Sequence, residues 1–367
     1  MTGMKSGAVK KTVYFALFSL LLVLLQACQV TGGPFPATPV SSPAGVSTGP
    51  EGWYSVYFTN PKSADARRLK NGPDTELVAA IDAARVSVDA AIYDLDLFDV
   101  RDALIDAHSR GLSVRVVAES DYLDEMAMQG LIDAGIEVLG DRREGLMHNK
   151  FMVIDRDEVW TGSMNFTVNG AYRNNNNLIR VRSSRLAEDY ETEFNEMFQD
   201  DQFGPSSPSN TPFPDITING TQVEVYFSPD DGTADRILEL LRNANQSIRF
   251  LAYSFTADDL SSAIIERANA GVSVSGVMEA SQVKSNIGTE FDRFRSNGLD
   301  VRLDGNSANM HDKVMIIDDQ IVITGSYNFS ASAEHRNDEN TLIIRSPEIA
   351  QEYLAEFGRI FDQAQKN

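Results

Sequence analysis

The chain has 367 residues, of which 42% are hydrophobic and 23% are charged, so it can bury one or two cores and is not disordered throughout. Its net charge of −21 argues against a protein that coats nucleic acid by general attraction, although it allows a small basic pocket inside an acidic surface. The single cysteine excludes a disulfide framework and a metal site built from cysteines.

Residues 1–28 are arranged like the leader of an exported protein. Three lysines precede an apolar run from Val13 to Leu25, which suits a secretion signal and is short for a bilayer span. The run leads into LQAC, which resembles a bacterial lipobox, although Gln26 stands where that motif usually has a small residue. We therefore expect export to the cell envelope and a lipid anchor on Cys28, with ordinary secretion as the alternative.

Two stretches are predicted to lack a fold of their own. Residues 29–52 are rich in Gly, Pro, Ser and Thr and show no apolar period, which predicts a flexible tether. Residues 201–222 contain GPSSPSNTPFP and are predicted to be a linker. The folded parts are then two halves of similar length, residues 53–200 and 223–367.

Both halves repeat one order of predicted helices and strands. Runs with helical apolar spacing alternate with short β runs, and corresponding runs lie 160 to 163 residues apart. The clearest are helices at Leu77–Ala84, Arg185–Phe198, Ile237–Ala244 and Pro347–Phe361, and strands at Val86–Tyr93 and Ile248–Phe255. This alternation predicts α/β layers, and the long period predicts two similar domains in a pseudo-twofold arrangement.

The strongest repeat is a gapless motif that occurs once in each half. It reads HNKFMVIDRDEVWTGSMN from His148 and HDKVMIIDDQIVITGSYN from His311, and both copies fit H-x-K-x4-D-x6-G-S-x-N. The residues after the lysine predict a hairpin, and period-two alternation sends His148 and Lys150 to the same side. Each copy therefore delivers an imidazole and an ammonium to one point.

The paired motif is the signature of the phospholipase D superfamily, which this chain resembles over nearly all of its mature length. The resemblance implies two phospholipase D-like α/β domains, with mixed β-sheets flanked by helices. It further implies that the two motifs meet across the pseudo-twofold axis and build one site within a single chain, so no obligate oligomer is expected.

The resemblance also implies a set of catalytic residues and a phosphohistidine mechanism. One histidine attacks phosphorus, the other protonates the leaving alcohol, and the lysines offset the charge on the phosphoryl oxygens. The catalytic set is His148, Lys150, Asp155, His311, Lys313 and Asp318, although we expect the two aspartates to fix the hairpins more than to take part in chemistry. Phosphate-binding or orienting roles are expected for Ser163, Asn165, Ser326, Asn328 and Glu339. No metal or cofactor is expected.

One difference between the halves predicts that the two histidines are not equivalent. The sequence RNDEN after the second motif resembles the family's N-x-E-N segment, whereas the first half has RNNNN, so Asn176 stands where the second half has Glu339. A carboxylate on an imidazole N–H raises its basicity more than an amide does. In relatives the acid can pair across the axis, which would make His148 the nucleophile and His311 the general acid. Pairing within one half would reverse these roles.

The motif predicts phosphodiester chemistry and leaves the substrate open. We expect a phospholipase D that acts on phospholipid at a membrane surface. The alternatives are a metal-independent endonuclease, a phosphatidyltransferase like cardiolipin synthase, and a binding module without activity. Residues that could form the rim of the site point both ways: Leu146, Met147 and Phe166 would favour lipid, whereas Arg142, Arg143 and Arg173 would favour a nucleic-acid backbone.

Overall fold

The computed structural model describes residues 46–48, as backbone alone, and residues 52–365. The predicted leader with Cys28 lies outside these residues, as does most of the predicted tether. Among the helices that the structure describes, none combines the length and apolar character needed to cross a bilayer.

An eight-stranded mixed sheet forms the first half. Its strands are β1 (Val46–Thr48), β2 (Tyr54–Phe58), β3 (Ser87–Ile92), β4 (Ser113–Ala118), β5 (Glu137–Gly140), β6 (Lys150–Ile154), β7 (Glu158–Gly162) and β8 (Asn177–Arg182). Their order in space is β1-β2-β8-β7-β6-β3-β4-β5. The neighbours β3, β4 and β5 run parallel, and all other neighbours run antiparallel.

The second half carries an eight-stranded sheet of the same kind. Its strands are β9 (Asp215–Ile218), β10 (Thr221–Ser228), β11 (Ser247–Ala252), β12 (Ser273–Met278), β13 (Asp300–Leu303), β14 (Lys313–Ile317), β15 (Ile321–Gly325) and β16 (Glu339–Arg345). Their order in space is β9-β10-β16-β15-β14-β11-β12-β13, which matches the order of the first sheet strand for strand. This match confirms the predicted pair of similar α/β domains with mixed sheets.

Helices flank both sheets. The first half has α1 (Pro73–Ala83), α2 (Phe98–Ser109), α3 (Met126–Asp133) and α4 (Ser184–Phe198), with short helices at Ala66–Arg68, Ser120–Tyr122, Asn169–Arg173 and Gly204–Ser206. The second half has α5 (Thr233–Arg242), α6 (Asp258–Asn269), α7 (Ala280–Ser285), α8 (Phe291–Ser296), α9 (Ala331–His335) and α10 (Pro347–Gln363). A serine immediately precedes each of α4 and α10 as its N-cap residue. The hydroxyl of Ser183 or Ser346 accepts a hydrogen bond from a backbone N–H in the first turn.

A hydrophobic core shared by both halves holds the two sheets together. It combines side chains from the inner faces of both sheets with the apolar faces of α4 and α10. Tyr190 of α4 packs edge-to-face on Phe227 of the second half at 5.1 Å, and Phe58 of the first half packs on Tyr353 of α10 at the same distance. Each half also has its own outer core, so the halves are joined by packed apolar surface as well as by the chain.

Parts of the predicted tether and linker belong to the two sheets. Within residues 29–52, β1 pairs with β2, and within residues 201–222, β9 pairs with β10. Ile216 and Ile218 of β9 are buried in the shared core, and Asn219-Gly220 makes the turn to β10 with positive φ at both residues. In β9 two alternating isoleucines carry the signal of a strand, which a count of Gly, Pro and Ser does not register. Each repeat therefore begins one strand earlier than predicted.

Candidate active site

The hairpins β6–β7 and β14–β15 present the two motifs at the junction of the halves. Lys150 and Lys313 are the first residues of their hairpins and pair with the last residues of the central strands, Ile92 and Ala252. His148 and His311 are only 7% exposed, and the two lysines are 0% and 2% exposed. Burial on these strands fixes each His–Lys pair in a single geometry.

Backbone pairing across the junction places each histidine against the opposite half. The N–H of His148 donates to the carbonyl of Asp338 at 3.0 Å, and the N–H of His311 donates to the carbonyl of Asn175 at 2.8 Å. Because these contacts are reciprocal, the halves have the pseudo-twofold relation that the resemblance implied. One site is formed within one chain.

Each histidine takes its side-chain partner from the other half. His148 Nδ1 lies 2.7 Å from Glu339 Oε2, and His311 Nδ1 lies 3.0 Å from Asn176 Oδ1 and 3.1 Å from the carbonyl of Ser163. Since these partners accept hydrogen bonds, Nδ1 carries the proton in both rings and Nε2 is left for chemistry. The crossed arrangement is the one that pairs Glu339 with His148.

The two lysines lie beside the histidines as buried cations. Lys150 Nζ donates to the carbonyl of His148 at 2.6 Å, and Lys313 Nζ donates to that of His311 at 2.8 Å. Lys313 Nζ is also 3.2 Å from His311 Nε2. Burial lowers the pKa of Lys313 to about 7 and moves that of Lys150 well below its usual value. Burial makes the positive charge of these lysines unfavourable, and a bound anion would offset that cost.

The same burial changes the acid–base properties of the histidine pair. Desolvation, followed by the two lysine charges, moves the pKa of His148 and of His311 well below 6.5. Desolvation raises the pKa of Glu339 to about 7, against the opposing effect of the lysines. A phosphodiester at this point would favour protonation of an imidazole and of both lysine side chains, because it brings negative charge into the buried site.

The motif serines orient the histidine partners. Ser163 Oγ donates to Asn176 Oδ1 at 2.9 Å, and the Ser326 hydroxyl favours the ionised form of Glu339 and so opposes the rise in its pKa. Asn165 and Asn328 are partly buried, and their amide oxygens have no hydrogen-bond partner within the described residues. The serines therefore act on the groups that hold the imidazoles.

The motif aspartates lie away from the histidines and hold backbone, in line with the expectation that they fix the hairpins. Asp155 accepts hydrogen bonds of 2.7 to 3.1 Å from the backbone N–H groups of residues 85–87, and Asp318 accepts bonds of 2.6 to 3.0 Å from those of residues 245–247. Both lie at the far turns of their hairpins, at the opposite end from the histidines, with φ of +54°. They fix the loops that lead into β3 and β11.

The six predicted rim residues lie in different surroundings. Met147 and Phe166 are fully buried, because each pairs through its backbone with a neighbouring segment and points into a core. Arg143 forms an ion pair with Asp338 and donates to the carbonyl of Arg336. The other members have separate positions: Leu146 is partly buried, Arg142 pairs with Asp201, and Arg173 donates to Asn169. These positions argue for neither substrate.

Two tyrosines that the motif does not contain lie beside the histidines. The ring of Tyr93 is 4.7 Å from that of His148, and the ring of Tyr253 is 4.5 Å from that of His311. Each tyrosine also lies within 5 Å of the lysine of its own half. Each follows the last residue of a central strand, and the two positions are 160 residues apart. A comparison of the two halves of the sequence would therefore have found this pair.

A matched pair of glutamates holds the chain just before each histidine. Glu119 accepts a hydrogen bond from the N–H of Met147 at 2.9 Å, and Glu279 accepts one from the N–H of Met310 at 2.7 Å. Burial and the nearby Asp141 raise the pKa of Glu119 to about 7. In the described part of the chain, no group of three or more His, Cys, Asp or Glu side chains is placed to hold a metal ion.

Comparison with known proteins agrees with this geometry. The family model described as "Cardiolipin synthase, PLD-like domain" matches residues 77–198 and again residues 237–361, which together exceed half of the chain. Phospholipase D of Rickettsia bellii is 32% identical over 152 residues, covering 40% of this chain and 75% of that protein.

Two further similarities extend the comparison. Mitochondrial cardiolipin hydrolase of Chlamydomonas reinhardtii is 29% identical over 136 residues, and the match spans 37% of this chain and only 60% of that protein. The crystal structure of phosphatidylserine synthase of Haemophilus influenzae superposes with a TM-score of 0.66 over 84% of this chain and 87% of that chain, and at 14% identity it shows a shared fold. With the motif present and intact in both halves, the chain belongs to the phospholipase D superfamily.

Proposed function

We propose that this protein is a phosphodiesterase that hydrolyses phospholipids to phosphatidate and a free head-group alcohol. The observation that carries the proposal is the crossed pairing of two buried histidines with unlike partners, Glu339 on His148 and Asn176 on His311. A reaction that needs one nucleophile and one proton donor uses two imidazoles of unequal basicity.

The first step breaks the bond between phosphorus and the head-group oxygen. Glu339 holds the Nδ1 proton of His148, so Nε2 presents its lone pair and attacks phosphorus, forming a phosphohistidine. His311, held through Nδ1 by Asn176, is the imidazole that takes up a second proton, on Nε2, when the phosphodiester binds, and it gives this proton to the departing alkoxide. The head group leaves as a neutral alcohol.

The second step releases the phosphatidyl group. A water molecule takes the place of the alcohol, His311 removes its proton, and the oxygen attacks phosphorus as the bond to His148 Nε2 breaks. Phosphatidate leaves and both imidazoles return to their starting forms. Lys150 and Lys313 stabilise the charge on the phosphoryl oxygens in both steps, because they are preorganised in a water-poor site.

The charge near Tyr93 favours lipid over nucleic acid. Tyr122 lies against Tyr93, with ring centroids 5.1 Å apart, and the segments around these two tyrosines expose four acidic side chains: Asp96, Asp121, Asp124 and Glu125. Such carboxylates repel a polyanionic backbone, whereas a phospholipid offers one phosphodiester at the end of an uncharged glycerol. The names phospholipase D and cardiolipin hydrolase among the relatives support the same choice.

We also propose that the protein is exported and held on a membrane through an acylated Cys28. The support is the order of lysines, apolar run and cysteine in the first 28 residues. Acyl chains on that residue would keep the enzyme at its substrate, since each buried CH2 contributes about 0.8 kcal/mol. Labelling cells with radioactive palmitate should mark the wild-type protein and leave the Cys28→Ala variant unlabelled. Labelling of both proteins would contradict the assignment of Cys28.

The function is tested with the full chain in detergent, without added metal. Phospholipid vesicles and, separately, single- and double-stranded DNA and RNA are the substrates, and His148→Asn is the control. We expect phosphatidate and free head group with intact nucleic acid, no product from the variant, and no loss of activity on adding EDTA. Cleaved nucleic acid with intact lipid would replace the proposal with a nuclease. Absence of any product would favour a binding module.

A further inference from the structure

Asp312 is a buried carboxylate that the mechanism above does not use. It lies between His311 and Lys313 in the chain and is 0% exposed. Its Oδ1 accepts a hydrogen bond from Asn177 Nδ2 of the first half at 2.8 Å and lies 3.4 Å from the hydroxyl of Ser163, and both of these groups are neutral. Its Oδ2 has no hydrogen-bond partner within the described residues. One oxygen of this carboxylate is therefore buried without compensation.

The first half shows that this contact does not need a charge. The residue 163 positions before Asp312 is Asn149, and its Oδ1 accepts a hydrogen bond from Asn340 Nδ2, also at 2.8 Å. Asn340 and Asn177 are matched in turn, so the halves make the same contact twice, once with an amide and once with a carboxylate. A buried carboxylate with an unpartnered oxygen costs stability, whereas an amide makes the contact without burying a charge. Packing alone therefore does not explain Asp312.

The contacts of Asp312 lead to the ring of His311. Ser163, whose hydroxyl lies near Asp312, donates to Asn176 Oδ1 at 2.9 Å. The carbonyl of Ser163 and the amide oxygen of Asn176 both lie within hydrogen-bond distance of His311 Nδ1, at 3.1 and 3.0 Å. The imidazole therefore rests on two groups of the first half, and one of them faces the carboxylate.

The charge of Asp312 acts on the lysine of its own half. The titratable and charged groups that face Asp312 lie on its own strand and on α10: Lys313, Tyr353, Glu356 and Arg359. Arg359 is already hydrogen-bonded to Glu356 at 2.7 Å. Burial raises the pKa of Asp312, and its hydrogen bonds and the two cations oppose the rise. Burial lowers the pKa of Lys313 to about 7, and the negative charges of Glu339 and Asp312 oppose that fall.

We propose that Asp312 is a positioning residue for the proton-donating side of the site, which holds the groups that orient His311 and keeps Lys313 in its charged form. It does for the second His–Lys pair, through intervening groups, what Glu339 does for His148 by direct contact. Each pair then has one carboxylate, although the two carboxylates occupy different positions of the repeat. The inference rests on the phosphodiester chemistry of the proposed function and applies whether the substrate is a lipid or a nucleic acid.

The test replaces Asp312 with asparagine, the residue that the first half has at the matched position. The full chain in detergent is assayed for kcat/KM against pH with phospholipid, or with nucleic acid if the wild type cleaves that instead. The alkaline limb of this profile reports the protons that the free enzyme must hold. Without the carboxylate the pKa of Lys313 falls further, so the limb should move to lower pH by about one unit and kcat/KM at pH 8 should fall about 10-fold. The Tm should stay or rise, because a buried charge with an unpartnered oxygen is gone.

Glu356→Gln is the matched control, because it removes another buried carboxylate of the same half that bonds to Arg359 instead of to the groups around His311. It should lower the Tm and leave the alkaline limb at the wild-type position. An Asp312→Asn variant with an unmoved limb, or with a lower Tm and an equal loss of kcat/KM at every pH, would overturn the role of Asp312 and leave the phosphodiesterase standing. A variant that does not fold would overturn it too, since the charge would then serve the fold. A wild type that cleaves neither substrate would overturn both.

Discussion

The two halves have the same set of strands and one copy of the motif each, yet the side chains that bind their histidines differ in charge. The second half supplies a carboxylate, Glu339, to the histidine of the first, and the first half returns an amide, Asn176. The geometry of the two exchanges is nearly the same, so the difference lies in charge. Duplication supplied two equal imidazoles, and one substitution is enough to make one the stronger base and the other the better acid.

Replacing each histidine in turn tests whether both are required for turnover, and it should give the largest effect. With phospholipid as substrate, His148→Asn and His311→Asn should each lower kcat by at least about 10³-fold, because nucleophile and acid are both required. Thermal unfolding should be little changed, which separates lost chemistry from lost fold.

An activated diester with a nitrophenol leaving group distinguishes the two roles, because such a leaving group needs no proton. On this substrate His311→Asn should still accumulate phosphohistidine on His148, whereas His148→Asn should form none. Mass spectrometry of the acid-sensitive adduct makes the measurement. A phosphohistidine on His311 would show that the roles are reversed.

Changing the partners should have a smaller effect than changing the histidines. Glu339→Gln should lower kcat by about 10- to 100-fold, because an amide supports the basicity of His148 poorly. Asn176→Asp should change kcat less and should raise the pKa of His311, which moves the limb of the pH–rate profile that reports the acid to higher pH. Equal losses of kcat in the two variants, with an unmoved profile, would contradict the division of roles.

The motif aspartates should behave alike in the two halves, because they make the same contacts. Removing either carboxylate leaves three backbone N–H groups without an acceptor, so Asp155→Ala and Asp318→Ala should each lower the free energy of unfolding by about 2 kcal/mol. Urea denaturation measures this change, with the exposed Asp82→Ala as control. The kcat of the folded enzyme should stay within about 2-fold, and a loss comparable with the histidine variants would restore the aspartates to the catalytic set.

A fourth comparison concerns the central helices α4 and α10. In α10, Arg359 hydrogen-bonds to Glu356 at 2.7 Å, whereas the matched residues of α4 are two acids, Glu193 and Glu196, with no such cation. Burial raises the pKa of Glu196 to about 7, so the folded state holds this proton more tightly than the unfolded state does. The stability of the folded state should therefore fall as pH rises from about 4.5 through 7.

Glu196→Gln removes the ionisation and should raise the Tm at pH 8 by a few degrees more than at pH 5. Glu356→Gln removes the carboxylate that pairs with Arg359, so it should lower the Tm at pH 8. A Glu196→Gln variant whose Tm shifts equally at both pH values would show that the effect comes from packing.

The parts of the fold that could be predicted are those with a local or repeated signal. The helices α4 and α10 were predicted within one or two residues of their observed bounds, because their apolar spacing is strong and a serine caps each one. The meeting of the two His–Lys pairs at the junction of the halves followed from the motif and the family resemblance. The exchange of partners was one of two alternatives that the sequence left open, since nothing local to Asn176 or Glu339 indicates which half each one faces.

The missed features depend on pairing between distant segments. The strands β1 and β9 are short and lie in stretches rich in turn-forming residues, and they exist because an edge of the sheet is available to them. Met147 and Phe166 looked like rim residues because they adjoin the motifs in sequence, yet the packing buries them. Tyr93 and Tyr253 were visible as matched strand ends and could have been found by asking what else the repeat conserves between its own halves.

The exchange of partners across the junction has a consequence for the history of the chain. A single half expressed as its own polypeptide would need a second copy of itself to complete a site, and such a homodimer would obey strict symmetry. Two first halves would place an asparagine on both histidines, and two second halves would place a glutamate on both. A polypeptide that joins the two halves holds one of each, so a single chain keeps its two histidines distinct in a way that a homodimer of either half could not.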